Sequence, residues 1–181
     1  DFPFTNPCCL LVRRLLTEYI VDSIENGDNV IGIFVDMSKA FDCLSHNMIL
    51  TKLHKLGIRD MALRWLQSYL SNRNQVVEVT QFIKGTRTTA RSVSHPVTRG
   101  VPQGSVLGPI LFVLATNDLP AVIEPYCRAI MYADDTVLLS SQKSIESLEV
   151  NAYIGLNVAI DYCTEHDLVF NASKTKQITF G

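Results

Sequence analysis

The hydrophobic pattern of the chain switches between two periods, and the switches mark its elements. Val12, Leu15, Leu16, Tyr19, Ile20 and Ile24 recur at helical spacing. Asn6 is placed to cap that helix, Pro7 to fill its first position and Gly27 to end it. Val30-Ile31-Gly32-Ile33-Phe34-Val35 follows as a continuous apolar run, which predicts a strand covered on both faces. Two helices should come next. One runs from about His46 to Leu56, with Gly57 behind it. The other is capped by Asp60 and repeats Ala62, Trp65, Leu66, Tyr69 and Leu70, an aromatic stripe read as core packing. Gln75 to Thr80 reads as a strand, and a second strand falls within Thr86 to Val97.

The second half begins with an apolar helix from about Pro109. Arg128 to Tyr132 and Thr136 to Leu139 flank Ala133-Asp134-Asp135, which predicts a strand, a tight acidic turn and a strand. Ile145, Leu148, Ala152, Leu156, Ala159 and Cys163 then form one helical stripe, with Ser144 as its cap. Leu168-Val169-Phe170 and Gln177-Ile178-Thr179-Phe180 read as short strands. The mixture defines an α+β chain.

Composition narrows the function less than the pattern narrows the fold. At 181 residues and 47% apolar, the chain can build a core of its own, and it does not read as disordered. Its formal net charge of −2 does not announce a nucleic-acid partner, so any basic surface must be local. Arg59, Arg64, Arg73, Arg87, Arg91 and Arg99 are scattered and read as solvated surface. The five cysteines, with no Cys-x-x-Cys spacing, fit free thiols in a reducing, intracellular setting. His46, His54, His95 and His166 lack ligand spacing and read as structural or surface groups. The longest apolar run, Val106 to Ala115, is broken by Gly108-Pro109 and is too short to span a bilayer. The chain opens without methionine and stops at Gly181 directly after an apparent strand, which predicts a fragment of something longer.

The acidic turn carries the first candidate chemistry. Two adjacent carboxylates at the tip of a buried hairpin repel one another and lose solvation, and a bound cation is the simplest compensation. Asp36, at the end of the apolar strand, changes the weight of that pair. Taken singly, each is an ordinary turn or cap residue. Brought together, Asp36, Asp134 and Asp135 supply hard oxygen ligands for two divalent ions, which suits Mg²⁺ with Mn²⁺ as a substitute. Adjacent strand residues face opposite ways, so the two hairpin acids cannot be equivalent. Asp134 is expected to face the shared metal position and Asp135 to be peripheral. Without metal, at least one of the three acids should have a raised pKa. Gly100-Val101-Pro102-Gln103-Gly104-Ser105-Val106-Leu107-Gly108-Pro109 is the second unusual stretch. Gly104 lets another chain or a base pair approach the backbone, and Gln103 offers an amide beside it. A Gly/Pro loop alone is only a turn.

Phe34-Val35-Asp36-Met37-Ser38-Lys39-Ala40-Phe41-Asp42, the Gly100–Pro109 loop and Tyr132-Ala133-Asp134-Asp135 occur in that order. Together they resemble the reverse transcriptases of non-long-terminal-repeat (LINE-type) retrotransposons. Asn117-Asp118-Leu119-Pro120 and Asn171 through Lys174-Thr175 fit the same pattern. The resemblance implies a right-hand polymerase: a ferredoxin-like antiparallel palm sheet backed by helices, with part of the fingers and no thumb. Residues 1–29 and 45–100 would be fingers-like, and 30–44 and 101–181 palm.

It further implies Asp36 and Asp134 as the main metal ligands, with Asp135 accompanying them and the Met37 backbone carbonyl as a further ligand. Phe41 would lie under the deoxyribose and exclude a ribose 2′-hydroxyl. Gln103 and Gly104 would line the templating base and incoming nucleotide. Lys174 would protonate the leaving pyrophosphate, with Lys176 as its rival. The implied partners are an RNA template, a DNA primer and a deoxynucleoside triphosphate, and no membrane. Departures are visible too. Residues 1–11 lack the family's basic Gly-Phe-Arg block, Ala115 stands where an aromatic residue is usual, and neither thumb nor endonuclease sequence is present. The alternatives are a catalytically inactive relic that keeps the fold and a two-metal nuclease. The nuclease leaves Gln103, Gly104 and Phe41 without a role.

Overall fold

The computed structural model describes residues 7–83 and 85–181. A helix, α1 (Pro7–Glu25), leads into β1 (Asn29–Val35). Gly27, at φ +80°, ends the helix as expected, whereas the Asn6 cap lies outside the described residues. A two-residue strand β2 (Met37–Ser38) and a single helical turn α2 (Ala40–Cys43) follow, and then α3 (His46–Lys55) and α4 (Asp60–Leu70). Short β3 (Asn74–Gln75) and β6 (His95–Pro96) pair with each other and bracket a hairpin of β4 (Glu78–Ile83) and β5 (Thr86–Arg91). The remaining elements are α5 (Leu107–Thr116), α6 (Leu119–Ile123), β7 (Arg128–Tyr132), β8 (Asp135–Gln142), α7 (Ile145–Glu165), β9 (Val169–Phe170) and β10 (Lys176–Phe180).

The main sheet has the order β10-β1-β8-β7, with every neighbouring pair antiparallel. With α5 and α6 crossing between β1 and β7, and α7 between β8 and β10, this is the ferredoxin-like arrangement that the resemblance implies. The unbroken apolar run of β1 has its cause in the two layers around it. Tyr19 of α1 donates its hydroxyl to Ser141 Oγ at 3.0 Å. Ser140, one residue earlier on β8, faces the Cys127 thiol instead, beside Gly155 of α7. Successive strand residues point to opposite faces, so α1 and α7 cover opposite sides of the sheet. A Cβ on Gly155 would lie 2.4 Å from Cys127 Sγ, which is why the long helix carries no side chain there. Residues 36–106 are inserted between β1 and α5. Leu44, Ile49, Leu53, Leu66 and Leu70 of that insertion share one buried cluster with Leu111 and Phe112 of α5.

Several expectations need correction. Asp60 does not cap α4; Arg59 holds the cap position, and Asp60 is the first helical residue with φ +50°. Its charge still favours the positive end of the helix. Trp65 and Ala62 are exposed, and Leu66 and Leu70 are the buried side chains. The rows 62-65-69 and 63-66-70 are both helically spaced, and period alone cannot choose between adjacent rows; Trp65 stacks on Tyr69 at 6.1 Å on the outer side. The strand expected over Gln75 to Thr80 is two strands with different partners, broken at Val76-Val77, where Val77 N–H donates to Ser92 Oγ. The helix expected from Pro109 starts at Leu107, because Ser105 Oγ accepts the Gly108 N–H and Pro109 is tolerated in a first turn. Ser144 occupies the cap position of α7 without a capping side-chain bond, and Ile145 is exposed in its first turn.

One part-buried ionic cluster was not anticipated. Lys52 of α3, almost wholly buried, donates to Asp118 at the start of α6. Tyr162 of α7 donates its hydroxyl to the other oxygen of that carboxylate at 2.6 Å. The Lys52 ammonium also lies 5.3 Å from the Tyr162 ring centroid. Three helices distant in sequence are thereby tied at one carboxylate. Burial would raise the Asp118 pKa, but the Lys52 and Tyr162 hydrogen bonds outweigh it and hold the carboxyl below its usual value. We expect Asp118→Ala to cost about 2 kcal/mol, less than a wholly buried pair because the carboxylate keeps part of its surface in water. Since the folded pKa is depressed, this contribution is present above the ordinary carboxylate pKa and is lost as pH falls through the folded one. Urea unfolding of both proteins at neutral and acid pH checks it: the gap between them should narrow on the acid side.

Candidate active site

The register of the sheet builds the acidic end of the site. β1 and β8 pair from Asn29↔Gln142 to Val35↔Thr136, and Tyr132↔Asp135 closes the β7–β8 hairpin. Asp36 comes directly after Val35, so one further step in the same register sets it beside Asp135. The hairpin tip is Ala133-Asp134, with Ala133 at φ +54°. A left-handed backbone at a residue with a Cβ costs about 1–2 kcal/mol, and here it turns the chain between Tyr132 and the two acids. Asp135 is pushed above the ordinary carboxylate range, by burial first and then by the charges of Asp134 and Asp36. That is the mutual repulsion anticipated from the sequence.

Among the described residues, no three His, Cys, Asp or Glu side chains converge into a set that could hold a metal ion. The three acids share a field, and a common cation position is not preformed by their side chains. As donors they still fit a divalent ion: hard carboxylate oxygens in one negative region, with Asp135 destabilised as an anion by the other two.

Asp36 is also held from the other side. Met37↔Phe170 and Ser38↔Val169 pair β2 with β9, which brings the turn after Phe170 against the end of β1. The Asn171 N–H donates to the Asp36 carbonyl at 3.0 Å, and Asn171 Nδ2 donates to Asp36 Oδ2 at 2.9 Å. Lys174 Nζ stands 3.7 Å from the same Oδ2 and is largely exposed. Lys174 is therefore at the acidic cluster, while its rival Lys176 lies in β10 opposite Phe34. The Met37 side chain is buried in the core, so only its backbone can serve the site.

The second group of expected residues lines one cleft. Phe41, Gln103 and Gly104 surround a space of about 270 Å³ together with Val101, Pro102, Gly108 and Pro109. Phe41 is half-buried and packs on Phe112, with ring centroids 4.8 Å apart. The loop carrying Gln103 is docked on α2 by backbone bonds: Val101 N–H to the Phe41 carbonyl and Gly100 N–H to the Leu44 carbonyl, each 2.7 Å. Gly100, at φ +78°, allows this approach, since a Cβ there would lie 2.7 Å from Asp42 Cα. His46 Nε2 meets the Gly100 carbonyl at 2.9 Å, the structural role expected of it. Gln103 Nε2 donates to Asp42 Oδ1 at 2.7 Å, so a carboxylate orients the amide beside the cleft.

An adjoining cavity of about 680 Å³ shares Val101, Pro102 and Gln103 as its wall and gathers Lys39, Arg73 and Arg99 with Asp42. Arg99 also pairs with Asp167 at 3.1 Å, and Lys39 has a left-handed backbone at φ +51°. The local basic surface that net charge could not announce is here. Lys39, Asp42 and Asn171 all stood inside the quoted motifs, yet their positions carried no role until the fold brought them to the site.

The fold and this constellation belong to the palm of a template-directed polymerase. The model of the family described as "Reverse transcriptase (RNA-dependent DNA polymerase)" matches residues 11–179, and the chain belongs to that family. It is 35% identical over 146 residues to the "Putative 115 kDa protein in type-1 retrotransposable element R1DM" of Drosophila melanogaster, covering 81% of this chain and 13% of that one. It is 29% identical over 172 residues to the "RNA-directed DNA polymerase from mobile element jockey" of the same fly, covering 92% and 18%. The chain thus spans under a fifth of these relatives. Apo telomerase from Candida tropicalis, truncated from its C-terminal domain, superposes with a TM-score of 0.65 at 14% identity, covering 97% of this chain and 36% of that structure. The right-hand polymerase fold is therefore shared well beyond the retrotransposon relatives. Reverse transcriptases generally use divalent metal ions, and telomerase from Candida albicans is solved in complex with a fragment of telomeric RNA. Among the described residues, no helix is long and apolar enough to cross a membrane.

The charge coupling of the acids is directly measurable. Carboxyl carbon NMR should show Asp135 titrating above the usual aspartate range, and Asp36→Asn should bring it down. The sign for stability follows: an acid with a raised folded pKa opposes folding once ionised, and that opposition fades as pH falls through its folded value. Ordinary titration of Asp135, unmoved by Asp36→Asn, would contradict the arrangement.

Proposed function

We propose that the chain is the palm, with part of the fingers, of an RNA-directed DNA polymerase that extends a primer during retrotransposition. The observation that carries this reading is the register placing Asp36 beside the Asp134-Asp135 hairpin, with the Phe41–Gln103 cleft a few residues along the same strand exit. In the proposed division, 30–44 and 101–181 are palm, and 45–100 together with the segment before β1 are fingers. Among the described side chains, Cys43, Cys127 and Cys163 are free thiols, which is in keeping with an intracellular, reducing location.

In the proposed reaction, a primer 3′-hydroxyl attacks the α-phosphorus of a deoxynucleoside triphosphate. A new O–P bond forms as the hydroxyl proton passes to solvent water, the α–β phosphoanhydride bond breaks, and pyrophosphate leaves with its electron pair. Asp36 and Asp134 would hold two divalent cations, Mg²⁺ or Mn²⁺, with Asp135 and the Met37 carbonyl as further ligands. Such cations, when bound, ease deprotonation of the hydroxyl and neutralise triphosphate charge. The rest is positioning. Phe41 sets a ring under the sugar. Gln103, oriented by Asp42, and Gly104, which presents bare backbone, border the nucleotide and its templating base. Lys39, Arg73 and Arg99 supply positive charge for phosphates in the adjoining cavity. Lys174, an ammonium beside the acids, donates the proton that the leaving pyrophosphate takes up. Effective molarity and fixed electrostatics account for the rate without a covalent intermediate.

Primer extension on an RNA template with Mg²⁺ tests this. Wild-type chain should extend, and Asp134→Asn should reduce the rate by about 10³-fold or more, the scale of several kcal/mol of lost charge stabilisation. A folded, metal-binding chain that never extends would mark an inactive relic, and cleavage without extension would mark a nuclease. Phe41→Val should lower the preference for deoxyribonucleotides over ribonucleotides by about 10–100-fold, as removal of a steric contact allows. Unchanged sugar discrimination in single-nucleotide incorporation would remove Phe41 from that role.

A further inference from the structure

Among the described residues, Asn171 and Lys174 make polar side-chain contacts to Asp36, and both address the same oxygen. Asn171 Nδ2 donates to Asp36 Oδ2 at 2.9 Å, and Lys174 Nζ lies 3.7 Å from that atom. The two have opposite consequences. A neutral amide fixes the carboxylate and leaves its charge intact. Lys174 already forms a loose ion pair there, and a lysine that closed to hydrogen-bond distance would compete with any cation. Asn171 has the nearer place, and its surroundings hold it there. Its N–H donates to the Asp36 carbonyl at 3.0 Å, one residue beyond the β2–β9 pairing. Ser173 Oγ donates to Asn171 Oδ1 at 2.8 Å, so the amide can turn only its nitrogen toward Asp36. The Asn171 carbonyl accepts from Thr175 Oγ1 at 2.9 Å and from the Thr175 and Lys174 N–H groups at 3.1 and 3.3 Å. The whole turn closes around this one residue.

We propose that Asn171 is a positioning residue for the cation site: it holds the Asp36 carboxylate in place and keeps the Lys174 ion pair loose, at 3.7 Å, by occupying the nearer place on the same oxygen. The inference rests on the reading of Asp36 as a cation ligand and extends it to a group that touches neither substrate nor metal. Neutral partners of ligating carboxylates orient them and sustain their charge. Ser173 sets the amide and Lys174 is the competitor held off.

Mn²⁺ binding to the 181-residue chain, followed by electron paramagnetic resonance, reads this without any catalytic turnover. Asp36→Asn should abolish the site. Asn171→Ala should weaken Mn²⁺ by about tenfold, and Ser173→Ala should weaken it in the same direction by less. Adding Lys174→Gln to Asn171→Ala should restore most of the affinity, which a merely structural defect would not allow. Every substitution tested at position 171 keeps the main-chain N–H, so the bond to the Asp36 carbonyl survives. If Asn171→Ala fails to fold, Ser173→Ala decides, and unaltered affinity in it overturns the inference. Unaltered affinity in a folded Asn171→Ala, or a loss that Lys174→Gln leaves unrescued, overturns it while Asp36 remains a ligand. Mn²⁺ binding indifferent to Asp36→Asn removes the cation-site reading itself, and this inference with it.

Discussion

The site depends on one antiparallel register. Because Val35 pairs with Thr136 and not with a neighbour of it, Asp36 leaves the sheet beside Asp135 and across from the hairpin tip. A slip of one residue would turn β1 over and send its apolar side chains to the wrong faces. The burial of Ile31, Ile33 and Val35 on one face and of Val30 on the other therefore fixes the placement of an acid that is not itself buried. Hydrophobic packing in the middle of the sheet is thus converted into electrostatic geometry at its end. Burial raises the Asp135 pKa first, and the charges of Asp134 and Asp36 add to that rise.

Strained backbone and close approach recur around this end of the sheet. Ala133 and Lys39 have left-handed backbones without being glycine, and Gly100 presses against Asp42 where no Cβ would fit. Each lies in a segment that aims a functional group: the acidic hairpin, the turn into α2, and the loop bearing Gln103. Such conformations persist only where the surroundings over-determine them. Here the surroundings are the Phe41–Phe112 contact, the backbone bonds from Gly100 and Val101 to α2, and the buried leucines behind them. The ferredoxin-like sheet is an ordinary scaffold, and irregular backbone at its rim aims the functional groups.

Elements with strong, exclusive periodicity were legible from residues alone. The β1 run, the acidic hairpin and the α7 stripe over Leu148, Ala152, Ala159 and Cys163 stand where the pattern set them. Ambiguity arose where two faces shared one period, as in α4, or where one apolar run served two strand partners, as at Val76-Val77. The site was legible in a different way. The residue types Asp36, Asp134 and Asp135 suggest a cation, but only the ordered motifs of a known family tied them to one cleft with Phe41 and Gln103. The Lys52–Asp118–Tyr162 cluster, the Asp42–Gln103 bond and the Asn171 clamp were not legible, because they join positions 44 to 135 residues apart with no periodic trace.

The charge layout explains how a chain with a net charge of −2 can belong to a family that works on polyanions. Negative groups are gathered at the end of β1 and the hairpin tip, where they repel and hold a deficit of positive charge. Positive groups face the neighbouring cavity, where Lys39, Arg73 and Arg99 outnumber Asp42. The two regions are joined by the short path from Asp36 through Lys39 to Phe41 and by the loop that ends in Gln103. A phosphate-bearing ligand entering between them meets cationic side chains on one side. On the other it meets carboxylates that tolerate it only through an intervening cation. Local segregation of charge, and not its sum, sets what this surface selects. Segregation on this scale needs the insertion of residues 36–106, because every cation of that cavity comes from it, while two of the three acids come from the β7–β8 hairpin.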